Sequence, residues 1–185
     1  MKPQFHKVPI NLQSSFSIRH DIKSNFGKLW HYHPELELHY IIKGKGVRFI
    51  GDNIANFNSG EIVLLGENLP HTWRCNEEHE LNNDLNVEAI VVHFAADCLG
   101  KDFINLPETY LLPKLFEKAK KGMIIEGKTK TIIAELLLKS TKATDLDKLI
   151  IFLSILKNLS ETDEYSEITS AHAFYQSNEH DNIRL

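Results

Sequence analysis

Between Trp30 and Tyr40 the chain reads Trp30-His31-Tyr32-His33-Pro34-Glu35-Leu36-Glu37-Leu38-His39-Tyr40, with polar side chains at every odd position from 31 to 39. Leu36, Leu38, Tyr40 and Ile42 take the even ones. A β-strand sends alternate residues to opposite faces, so three imidazoles and two carboxylates share one side. Facing water, that side would be an ordinary strand surface. Turned into a barrel, it builds a site whose groups hydrogen-bond hydroxyls or hold a divalent ion. Farther on, Trp73 shares the strand parity of His71 and offers a face for a sugar or an apolar ring. Glu35, at the parity of Glu37, either holds a histidine in its tautomer or touches a ligand directly. Arg48 reads as a surface arginine rather than an anchor for an acidic ligand, and His93 as a satisfied structural histidine. His20, His79, His172 and His180 carry no spacing and read as exposed.

The spacing adds a resemblance. His31-x-His33-x3-Glu37-x6-Gly44 resembles the first motif of the cupins, and Gly60-x5-Gly66-x4-His71 resembles the second. The resemblance implies that His31, His33, Glu37 and His71 occupy metal-ligand positions, which a divalent transition metal such as zinc or nickel would suit. In the second motif Gly66 and Asn68 stand where many cupins have proline and glycine, and Cys75 where they often have asparagine. The loop that presents His71 is therefore expected to differ.

The elements that must position these groups change character along the chain. Ser15 to Ile22, Leu36 to Lys43, Val47 to Ile50, Glu61 to Leu65, His71 to Cys75 and Asn86 to Phe94 alternate or are β-branched, with glycine and asparagine between them. Such spacing predicts an antiparallel sandwich or small barrel. After about Leu99 the period is helical. Pro113 opens one helix, Lys118, Lys120 and Lys121 close it, and Gly122 follows. A second helix is expected near Thr129 to Lys139. A third starts at Thr144, whose hydroxyl and Asp147 fit a capping box. Its apolar residues cover too wide an arc for one buried face. Leu146, Leu149, Leu153 and Leu156 form one stripe, and Phe152, Ile155 and Leu159 another, both at coiled-coil steps. One stripe can pack on the domain, while the other needs the second helix or a second copy of the chain. Beyond Ser160 the chain is polar and reads as a surface segment or linker.

Composition sets the outer bounds. The 185 residues suffice to bury a proper core. Twenty-one basic against 25 acidic side chains give a net charge of −4, a poor balance for a DNA-binding unit on its own. Cys75 and Cys98 read as reduced thiols. No signal-peptide pattern and no apolar run of membrane-crossing length is present in the sequence, so a soluble, cytoplasmic protein is expected.

A narrower resemblance spans nearly the whole chain. His31-Tyr32-His33-Pro34-Glu35-Leu36-Glu37-Leu38 and Gly60-Glu61-Ile62-Val63-Leu64-Leu65-Gly66-Glu67-Asn68-Leu69-Pro70-His71-Thr72-Trp73 resemble the N-terminal domain of AraC-type transcriptional regulators. The run Leu112-Pro113 … Ala119-x2-Gly122 … Thr129 … Leu146 … Leu149 is similar to the helices that follow it there. The resemblance implies a fold that is mainly β with C-terminal helices: a cupin-like double-stranded β-helix (jelly-roll) barrel followed by about three α-helices. It implies a sensor barrel at 1–98, a helical dimerisation segment at 99–160, and at 161–185 a linker toward a DNA-binding domain. A small polar effector, a sugar for instance, would bind His31, His33, Glu35, Glu37, His71 and Trp73 without a catalytic residue or an obligatory cofactor. Homodimerisation would use Leu146, Leu149, Phe152, Leu153, Ile155 and Leu156. DNA would be bound only through helix-turn-helix motifs beyond this chain, with Asn182-Ile183-Arg184-Leu185 at their start. The alternative is a metal-dependent cupin enzyme, an isomerase or dioxygenase.

Overall fold

The computed structural model describes residues 2–9, 14–27, 29–75 and 87–170. Its strands are β1 (Gln4–Phe5), β2 (Phe16–Lys23), β3 (His31–Tyr32), β4 (Leu36–Lys43), β5 (Gly46–Ile50), β6 (Asn53–Phe57), β7 (Ile62–Leu65), β8 (His71–Cys75) and β9 (Val87–Phe94). Two 3₁₀ turns lead to α1 (Leu112–Ala119), then β10 (Met123–Ile125), α2 (Gly127–Ser140), α3 (Asp145–Glu161) and β11 (Tyr165–Glu167). The strands form two sheets, β1-β3-β8-β5-β6 and β11-β10-β7-β4-β9-β2. The expected jelly-roll barrel with helices after it is the fold observed.

Alternation works on both faces of the six-stranded sheet. Leu36, Leu38, Ile62, Leu64, Ile90, Val92 and Phe94 point outward and join Leu115, Ile133, Leu137, Phe152, Ile155 and Leu159 of the helices in one core. Ile41, Val63 and Leu65 point inward and join Ile50, Phe57, Leu69 and Trp73 from the other side of the barrel. Covered on two sides, β7 is buried along its whole length. This is why it reads as a continuous apolar run rather than an alternating one.

Several expectations need correcting. The polar face of residues 31–39 is not one strand. Pro34 has no amide proton to donate to a ladder and restricts the residue before it. The chain bends there, leaving His31 in the five-stranded sheet and Glu37 in the six-stranded one. Thr144 is the N-cap of α3, but its hydroxyl makes no capping hydrogen bond. Asp145 has a left-handed backbone (φ 47°), a conformation aspartate adopts more readily than most residues. Phe152, Ile155 and Leu156 are at most 4% exposed inside their own domain, with Phe152 stacked on Phe16 at 4.1 Å, so they are not available to a second copy.

The segment after Ser160 is not merely a surface linker. Tyr165–Glu167 pairs with Met123–Ile125, and Ile168 and Thr169 are buried. Backbone pairing lets a polar sequence serve as an edge strand, which hydropathy alone does not reveal. Residues 171–185, with His172, His180 and Asn182 to Leu185, lie outside the described residues, as does His79. Among the described residues no helix is long and apolar enough to cross a membrane.

Candidate functional site

The bend at Pro34 brings both sheets to one corner of the barrel. His31 stands opposite His71 across β3 and β8, and Glu37 stands opposite His93 across β4 and β9. His33 lies at the bend between them. One ligand-type nitrogen from each of His31, His33 and His71 lies within 4.8 Å of the others, and so do one nitrogen each from His33 and His93 and a Glu37 carboxylate oxygen. All of these except His31 are buried.

Glu37 is the centre. Its Oε1 accepts from His39 Nδ1–H at 2.9 Å. Its Oε2 lies 2.8 Å from His93 Nε2, 3.1 Å from His33 Nε2 and 3.4 Å from His71 Nε2. The other nitrogens decide what these contacts mean. A carbonyl only accepts, so His31 Nδ1–H donates to Leu29 O (2.8 Å), His33 Nδ1–H to Glu35 O (3.1 Å) and His71 Nδ1–H to Leu69 O (2.7 Å). Each of these rings, when neutral, keeps a bare lone pair at Nε2. His33 and His71 then aim lone pairs at a carboxylate oxygen, an arrangement that repels unless a second proton or a cation intervenes. His39 and His93 play another part. They donate to Glu37 from two sides and leave His39 Nε2 and His93 Nδ1 buried without a hydrogen-bond partner among the described residues.

The electrostatics follow. Burial and the neighbouring His71 charge hold His31 down at about 4. Burial works against protonating His33 too, but the hydrogen bond and charge of Glu37 outweigh it and raise its pKa. Burial would neutralise Glu37, yet the charge of His71 and the hydrogen bonds from His33, His39 and His71 hold it well below the usual carboxylate range. At the rim the His6 ring sits 5.1 Å from that of His31.

The loop before His71, which departs from the cupin pattern in sequence, is held by its own contacts. Asn68 has φ 57°, in the left-handed region where glycine is the usual choice and asparagine the common substitute. Its amide donates to His33 O at 2.8 Å, tying loop to bend. Gly66 is needed for space: a Cβ there would lie 2.6 Å from the Lys120 backbone.

The structure thus brings His31, His33 and His71 into one group and His33, Glu37 and His93 into another that shares His33, with Glu35 Oε2 3.6 Å from His33 Nδ1. Trp73 is different. It is 4% exposed and stacks on His39 at 4.1 Å, so its face is already occupied. His93 belongs to the site rather than to the bulk fold; its pairing with Glu37 crosses strands 56 residues apart, which spacing within one motif cannot reveal. His39 sat on the right face in the sequence, but no ligand spacing singled it out. Arg48 also turns inward: it is 4% exposed, with Nε 3.1 Å from Glu61 Oε1 and a guanidinium N–H donated to Asn53 Oδ1 at 3.1 Å. Burial lifts the Glu61 pKa against the pull of Arg48. His20 is at the surface, 2.7 Å from Glu88.

Residues 13–82, which hold all of these groups but His6, Glu88, His93 and Lys120, match the family model of the AraC-like ligand binding domain. Over those residues the barrel is similar to an AraC-like ligand-binding domain. ToxT from Vibrio cholerae is similar in fold with a TM-score of 0.46, at 17% identity over 86% of this chain and 61% of that one. The AraC-like transcriptional activator CuxR gives 0.49 at 9% identity over 83% and 54%. A cupin 2 conserved barrel domain protein from Rhodopseudomonas palustris gives 0.36 at 17% identity over 48% and 57%. The chain spans between 54% and 61% of the length of these three proteins. No match is found among curated proteins.

Proposed function

We propose that this chain is the effector-sensing and dimerisation part of a bacterial, cytoplasmic AraC-type transcription regulator. Its barrel binds a small polar ligand, and occupancy controls DNA binding by a C-terminal helix-turn-helix domain. The observation that carries the reading is the buried cluster around Glu37, lying where the ligand-binding family model matches. A cluster of buried polar groups with unpaired lone pairs is costly to keep without a ligand to satisfy it. Stacking of a sugar on Trp73 is not supported, because His39 covers that face.

The residues present fit a divalent metal. His31, His33, Glu37 and His71 would hold it, with His39 and His93 orienting the carboxylate. Zinc or nickel suits the imidazole-rich set, and such an ion would supply a Lewis-acidic contact for an oxygen ligand.

Dimerisation would use what α3 leaves uncovered. Leu146 is 66% and Ile150 52% exposed, and Leu149 and Leu153 are half-buried beside them. A patch of this kind on a helix fits a two-fold partner.

The effector reading is tested by thermal denaturation with panels of sugars, small carboxylates and divalent metal ions. A true ligand at about 100 times its Kd adds about 2.7 kcal/mol, a rise of roughly 5–10 °C for a chain of this size. His33→Ala should abolish the shift. A shift that persists in His33→Ala places the ligand elsewhere and contradicts the reading.

A further inference from the structure

Outside the barrel, the 3₁₀ turn Pro107–Thr109 and the start of α1 face the C-terminal half of α3 across a crevice of about 220 Å³. Its floor is apolar, made by Phe103, Leu112, Leu153 and Leu156. Its rim is polar, with Glu108 and Thr109 on one side and Lys157, Ser160 and Glu161 on the other. An apolar floor under a few convergent polar groups is the form of a small-molecule site, here at the small end of the usual range.

The protons at the rim decide what fits. Thr109 Oγ1–H is shared between Phe103 O and Leu106 O, both at 2.9 Å, and Ser160 Oγ–H goes to Lys157 O at 2.9 Å. Both hydroxyl oxygens therefore keep only lone pairs for a ligand. The Lys157 ammonium is held by Glu161, Nζ to Oε2 at 2.7 Å, while Glu108 has no ion pair among the described residues. Lys114, outside the lining, lies over the Tyr110 ring at 5.5 Å. Two carboxylates thus face one ammonium. The end of α3 adds to the imbalance. Glu161 is its last residue, its last turn carries no basic side chain, and the carbonyls of a helix C-terminus bear partial negative charge. The N-terminus of α1, which borders the crevice through Leu111 and Leu112, pulls the other way.

We propose that this crevice is a binding site, separate from the barrel, for a small primary amine carrying one compact apolar group such as an aromatic ring. The apolar group rests on Leu112, Leu153 and Leu156. The ammonium meets the Glu108 carboxylate at the rim, where the lone pairs of Thr109 and Ser160 offer further acceptors. The volume admits one ring on a short chain and excludes a long acyl chain or a disaccharide. The site does not depend on the effector reading of the histidine cluster.

The probe is phenethylamine, titrated into the whole 185-residue chain while the leucine methyl signals are followed by NMR. Leu153 also borders the dimer contact, so the titration is repeated on Leu149→Glu, in which no second copy covers it. Saturable shifts of the Leu112, Leu153 and Leu156 methyls are expected, with a Kd of about 1 mM. Phenylacetate carries the opposite charge on the same ring and should bind at least about 10-fold more weakly, and neutral phenethyl alcohol about 5-fold more weakly. Glu108→Gln, at an exposed position, should weaken the amine about 5-fold and leave the alcohol unchanged. His33→Ala should alter neither, which separates this site from the barrel. The proposal is overturned if neither chain shows saturable shifts up to ~20 mM amine, or if phenylacetate binds as tightly as the amine. Amine affinity that Glu108→Gln leaves unaltered overturns it too, as do shifts that disappear in a folded His33→Ala chain.

Discussion

With all four rings neutral, His39 and His93 donate to Glu37 while His33 and His71 turn lone pairs toward it. The pH dependence of the metal-free protein should show this. His31 binds its proton near 4 when folded and near 6.5 when unfolded, so between those values the unfolded chain holds more protons. Its contribution to stability falls as the pH drops from about 6.5 to 4. His33, raised by Glu37, acts oppositely: its contribution is complete below about 6.5 and is lost as the pH rises through the folded value. Glu37, held low, contributes above its unfolded value and loses that contribution as the pH falls through the folded one. His31→Asn should therefore flatten the loss of thermal stability between pH 6.5 and 4 in chelator. An unchanged slope would mean that His31 is not held as described. Arg48 supports a second residue-scale expectation. Arg48→Met should cost about 1–3 kcal/mol near pH 7 by taking the guanidinium from a partly buried Glu61 carboxylate. The cost should shrink as the pH falls, since burial raises the Glu61 pKa. Denaturant melts over that pH range measure both.

At the scale of elements, much was legible and the exceptions share a cause. The alternation of residues 36–43 gave β4 its bounds, and Pro113 and Gly122 bracket α1. Strands β6, β10 and β11 were not legible. Met123–Ile125 and Tyr165–Glu167 have three residues each, too few for a period, and depend on neighbours distant in sequence. His31, His33, Glu37 and His71 were legible because one strand-like spacing and one loop carry them. His93 and Arg48 were not, because their partners come from other strands. Helix α3 shows the same limit: its two apolar stripes were visible, but which one faces inward depends on tertiary packing. Ile155 is 1% exposed, so Ile155→Glu should unfold the domain, since an unpaired buried charge costs several kcal/mol against a total of about 5–15. Leu149→Glu should leave the fold intact and convert a dimer to a monomer in light scattering. Leu149→Glu at the parental mass would remove α3 as the contact.

At the scale of the whole molecule, the two cores divide the labour. The outer core locks the helices to the six-stranded sheet, and the inner one supports the histidine cluster from below and reaches the tail through Ile168. The claim on which the account turns is that His31, His33 and His71 are held with Nδ1 protonated and Nε2 free to ligate. Long-range proton–nitrogen NMR of the imidazoles, recorded on metal-free protein near pH 7.5 and again during a Zn²⁺ titration, measures this directly. The account predicts Nδ1–H in all three rings throughout, with Nε2 of each moving as the ion binds. Rings in the Nε2–H form, or Nε2 signals unmoved at saturating zinc, would contradict it.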